Sequence, residues 1–120
     1  MVAMTQQEIA HIKLTASLVT GCYDFERLNP QGTKMLRTAE RLFTRQLIMY
    51  YLRTHCKLPL RQIGDCFALP VDHATVIHAV TVIQNYIETD KTVRDIVNEL
   101  IETLVPEQDC ISQIESYFLI

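Results

Sequence analysis

The 120-residue chain has little glycine, no closely paired cysteines and no long apolar run, and each shortage closes off a class of function. Three dispersed glycines, Gly21, Gly32 and Gly64, cannot build a phosphate-cradling loop, which argues against nucleotide hydrolysis. Four scattered cysteines, Cys22, Cys56, Cys66 and Cys110, form no CxxC pair and no disulfide framework, so they read as reduced, mostly buried thiols. His73 and His78 stand five positions apart, about 140° around a helix, a poor start for a zinc site. His55 and Cys56 are chain neighbours on a predicted helix and cannot face each other as base and nucleophile. No cofactor, no metal and no enzymatic activity are therefore expected. No apolar stretch approaches the roughly 20 residues needed to span a bilayer. The opening MVAMTQQEIAHIK lacks the basic start and apolar core of a signal peptide, so the expectation is a cytoplasmic protein with no membrane partner.

What is present is the balance of a folded domain: 48% hydrophobic and 21% charged residues, in a length that suits one domain with one main task. The net charge of −3 conceals a segregation. Residues 34–61 carry seven basic groups against Glu40 alone, a net of +6, whereas residues 62–120 carry two basic and ten acidic groups, a net of −8. A strongly basic segment inside an acidic chain is a candidate footprint for phosphates.

In chain order, Thr5 to Glu8 has the form of a capping box, which predicts a helix with the stripe Ile9, Ile12, Ala16 and Val19, ending near Gly21. Turn formers Asn29, Pro30 and Gly32 mark the loop from Cys22 to Thr33, with Tyr23, Phe25 and Leu28 placed to pin it to the core. A long helix is expected from Lys34 to His55, its buried side formed by Leu36, Phe43, Leu47, Tyr50 and Tyr51. Arg37, Arg41 and Arg45 recur every fourth residue and would line one helix surface, either as an ordinary solvated face or as a row of phosphate contacts.

Leu60, Ile63 and Phe67 then give a short helix in which Gly64 permits close packing. Pro70 forces a turn. Asp72 suits the N-cap of a second helix, with Val76, Val80, Ile83 and Ile87 facing inward and Ala74, His78, Thr81 and Asn85 facing outward. Asp90 can cap a further helix with Val93, Ile96, Val97, Leu100, Ile101 and Leu104 as core. The tail places Ile111, Ile114 and Phe118 at helical spacing and reads as packed on the domain or as a surface for a protein partner or homodimer.

From Arg45 and Gln46 through Met49, Leu52, Arg53, Leu60, Ile63, Gly64 and Phe67 to Asp72, His73, Thr75, Val76, His78, Ala79 and Ile83, the chain resembles the C-terminal DNA-binding domain of the bacterial replication initiator DnaA. The string DHATVIHA is the most specific part of this match. The resemblance implies an all-α fold, a multi-helix orthogonal bundle of Trp-repressor-like type containing a helix-turn-helix. It covers residues 34–104, with 1–33 as an N-terminal helical extension and 105–120 as an apolar tail of one domain.

The resemblance further implies duplex DNA as partner, with base reading by Asp72, His73, Ala74, Thr75 and His78. Phosphate contacts are implied at Arg45, Gln46 and Arg53, and Arg41 and Arg61 lie near enough to join them. The chemistry is coherent: Asp72 can accept from a cytosine amino group, and the methyls of Ala74 and Thr75 suit a thymine methyl. Asp72 is equally suited to capping alone, and Arg53 to a surface ion pair. Two family cations are replaced by Val71 and Val82, and the family's glycine pair by Ala68, Leu69 and Pro70, which should weaken binding and change the preferred site. The expected function is sequence-specific duplex binding by a stand-alone regulator or replication accessory. The alternative is a protein-interaction module that keeps the fold with little DNA affinity.

Overall fold

The computed structural model describes residues 4–104. The described residues form an all-α bundle built from α1 (Gln6–Thr20), α2 (Ala39–Thr54), α3 (Leu60–Gly64) and α4 (His73–Thr89), followed by a helical run over residues 91–104 (α5). The sequence expectations for the tail, including Ile111, Ile114, Phe118 and Cys110, lie outside the described residues.

Local chemistry accounts for the helix ends. Thr5 and Glu8 form the expected capping box, and Gly21 closes α1 in the left-handed region at φ 74°, its N–H donated to the Ser17 carbonyl. Ile12 and Ala16 are buried, with Val19 half-buried beside them. Asp72 caps α4 and Asp90 caps α5, accepting from the N–H groups of Thr92 and Val93 at 2.9 and 3.3 Å. Arg94 Nε donates to the Ile87 carbonyl at 2.8 Å, satisfying one of the orphan acceptors at the end of α4.

Helix α2 is the hub, packing against α1, α3 and α4. Leu47, Ile48 and Leu52 of α2 are fully buried with Ile63 of α3 and Val76 and Ile83 of α4, and Val97 and Leu100 of α5 join the same core. Each such aliphatic side chain contributes roughly 1.5–3 kcal/mol by leaving water. Helix α1 is part of this core through Ile12 and Ala16, and Thr44 Oγ1 of α2 lies 2.9 Å from Thr20 Oγ1 of α1.

Three expectations need correction. Helix α2 begins at Ala39, five residues later than Lys34, because Thr38 takes extended angles and its hydroxyl caps the Arg41 N–H at 3.4 Å. The residues before it fold back on the loop: the Asn29 N–H donates to the Lys34 carbonyl at 2.8 Å, and the Leu36 N–H to the Arg27 carbonyl at 2.7 Å. A single antiparallel bridge, Leu28 with Met35, results. Tyr23 does not pin the loop; it is 63% exposed, and Phe25 does that task at 4%. Gly64 makes room for backbone and not for a crossing helix, since a Cβ there would collide with the Val71 carbonyl oxygen.

Candidate nucleic-acid interface

The display element is α4. Its inward positions Val76, Ala79 and Ile83 are buried, so its axis is fixed by the core while His73, Ala74, Thr75, Ile77 and His78 stay exposed. The cap fixes its first turn, because Asp72 Oδ1 accepts from the Thr75 N–H at 2.7 Å. Hydrogen bonding to Thr75 holds the Asp72 carboxyl below its usual range, so it remains an anion. The preceding turn is anchored by the Val71 N–H, donated to the Gly64 carbonyl at 3.0 Å.

Beside this turn runs an open groove of about 650 Å³, whose wall on the α4 side is Ala74, Thr75 and His78. Its opposite wall includes Lys34, Arg37 and Gln46. The groove thus brings three cations, Lys34, Arg37 and the largely buried Arg45, and the Gln46 amide against the exposed start of a helix, an arrangement suited to a phosphate strand alongside base edges.

The expected line of three arginines on one helix surface does not exist. Arg37 precedes α2, in the extended stretch that ends at Thr38. Arg45 is only 4% exposed; its Nη1 donates to the Leu36 carbonyl at 3.0 Å and to the Phe25 carbonyl. Burial and the neighbouring Arg37 cation pull its pKa down from the usual guanidinium value. Arg45 therefore ties the loop to α2 from inside. Arg41 is bound to Asp24, with Nη2 to Oδ2 at 2.6 Å and Nε to the backbone carbonyl at 3.2 Å. That pair holds Asp24 below its usual pKa and lies in a separate depression with Thr20, Gly21 and Thr38.

Arg53 is exposed and donates to the Leu58 carbonyl at 3.0 Å, which steadies the connection into α3. Arg61 is exposed in the first turn of α3. Lys34 and Arg37 as partners of the α4 start are not evident from charge spacing. The signal that reveals them is Thr38, an N-cap residue that moves Arg37 off the helix and onto the groove wall. Among the described residues no group of three or more His, Cys, Asp or Glu side chains could hold a metal ion.

A short helix, a turn anchored through a glycine and a second, capped and exposed helix define a helix-turn-helix protein. Residues 31–83 match the family described as the bacterial DnaA protein helix-turn-helix. The chain is 40% identical over 70 residues to the chromosomal replication initiator protein DnaA of Wolbachia pipientis wMel, covering 58% of this chain and 15% of that protein. It is 48% identical over 58 residues to the DnaA of Wolbachia sp. subsp. Brugia malayi, covering 47% and 12%, and 43% identical over 69 residues to that of Ehrlichia ruminantium, covering 58% and 14%. The chain thus spans about one seventh of the length of these curated relatives. No solved structure matches.

Proposed function

We propose that this protein binds duplex DNA sequence-specifically, with the first two turns of α4 in the major groove. The supporting observation is the pairing of the exposed α4 start with Lys34 and Arg37 across one groove. His73, Ala74, Thr75 and His78 reach base edges in this reading, and the Asp72 oxygen that does not cap the helix accepts from a cytosine amino group. Lys34, Arg37 and Gln46 hold one phosphate strand, and Arg53 and Arg61 are the outlying phosphate contacts. Arg45 and Arg41 serve the fold. The role is that of a regulator or replication accessory acting in the cytoplasm. Among the described residues no helix is long and apolar enough to cross a membrane.

A protein-interaction role draws on Leu14 and Leu18, 54% and 59% exposed on α1 outside the matched segment. A homodimer or partner surface in the tail belongs to this second reading.

Titration of a random-sequence duplex pool at several salt concentrations, followed by selection, tests the DNA reading. Affinity should fall linearly on a log–log plot with salt, and a preferred site should emerge. No binding at low salt contradicts it.

A further inference from the structure

The connection between α3 and α4 runs over residues 65–72, about twice the three or four residues of a typical helix-turn-helix turn. A turn of that length has more conformations open to it, and every one of them re-aims the first turn of α4. Two side chains from the N-terminal part of the chain close on it. Glu26 Oε1 accepts from the Ala68 N–H at 2.8 Å and from Lys13 Nζ at 2.9 Å. Lys13 Nζ also donates to the Cys66 carbonyl and lies 5.4 Å from the centroid of the buried Phe67 ring. Three successive turn residues, Cys66, Phe67 and Ala68, are thus each addressed by this one ion pair, both of whose side chains are largely withdrawn from solvent.

We infer that Lys13 and Glu26 are positioning residues for DNA reading, an α1-to-turn clamp that sets the angle at which α4 meets the duplex. The inference rests on the DNA-binding reading. It makes α1 and the loop after it part of the recognition unit, although both residues precede the segment matched to the DnaA family. The clamp touches no phosphate, so its loss changes which sequences are preferred and leaves the electrostatic component of binding in place. The two residues are not equivalent. Glu26 supplies both an acceptor for Ala68 and a charge for Lys13, whereas Lys13 supplies the cation that reaches the Cys66 carbonyl and the Phe67 face.

The test uses the full chain, the tightest duplex that wild type selects from a random pool, and a scrambled duplex. Lys13→Met and Glu26→Ala should each lower the ratio of selected to scrambled affinity about tenfold, the size of one lost base-pair contact, with the salt slope unchanged. Lys13→Arg should restore most of the ratio, and the Ala68 amide should exchange with solvent at least about tenfold faster in Glu26→Ala than in wild type. A wild-type ratio in both Lys13→Met and Glu26→Ala overturns the clamp, as does a salt slope reduced together with the ratio. Should those variants fail to fold, Glu26→Gln keeps an acceptor for Ala68 without the charge. A wild-type ratio in that variant also overturns it, because the charge that holds Lys13 is gone. If wild type itself shows no salt-dependent duplex binding, the DNA reading fails first, and the Ala68 exchange still reports whether the clamp exists.

Discussion

Arg37 and Arg45 stand two helical turns apart in sequence, yet the two regions that carry them use the same guanidinium group in opposite ways. In the extended stretch before α2 the side chain of Arg37 faces the groove beside α4, and its charge has no ion-pair partner among the described residues. Inside α2 the guanidinium of Arg45 is largely buried, and its Nη1 is held by two backbone carbonyls. The difference teaches that basic spacing by itself does not mark a phosphate surface. A guanidinium carries five donors, and a loop with unpaired carbonyls recruits them as effectively as a ligand does.

The sharpest way to break this comparison is to remove each arginine. Arg45→Ala leaves the Phe25 and Leu36 carbonyls without this donor and should destabilise the fold by about 3 kcal/mol, read as a lowered urea midpoint. An unchanged midpoint would mean that Arg45 is not a structural tie. Gly64→Ala should cost about 2 kcal/mol, since the new methyl meets the Val71 carbonyl and the turn has to move. Its crystal or solution structure should show α4 displaced, and an unmoved α4 would contradict the account of that glycine. Arg37→Ala should leave stability within about 0.5 kcal/mol of wild type while reducing the log–log salt slope of duplex binding by roughly one.

The smallest effect concerns pH at the α4 cap. The Asp72 pKa is lowered in the fold from its ordinary value of 3.8, so the cap contributes stability that is present above that value and is lost as pH falls through the lower, folded one. Asp72→Asn keeps the cap and removes this acid-side dependence, a difference visible in melting curves collected between neutral pH and pH 2. Identical acid sensitivity in both proteins would assign it elsewhere, with Asp24 as the other carboxylate so lowered.

The parts legible from sequence are those decided within one or two turns of chain. The Thr5–Glu8 box, the Gly21 stop, and the Asp72 and Asp90 caps each involve partners no more than four residues away, and the buried and exposed sides of α4 follow from helical spacing. The start of α2 was hidden because arginine spacing continues across Thr38, a residue that signals a cap only when the polar period is ignored. Gly64 suggested close approach, but its partner is backbone seven residues on, which no side-chain pattern encodes. The ties that shape the candidate site are long-range: Glu26 to Ala68 across 42 positions and Arg45 to Phe25 across 20. Charge and acceptor type announce that such groups need partners; only the fold selects them.

The most direct measurement of the central claim is the salt dependence of binding to a selected duplex by wild type, Arg37→Ala and His78→Ala side by side. The account predicts a linear log–log decline for wild type, a slope smaller by roughly one for Arg37→Ala, and for His78→Ala a loss of preference for the selected over a scrambled duplex. Duplex binding whose slope ignores Arg37 and whose preference ignores His78 would contradict it.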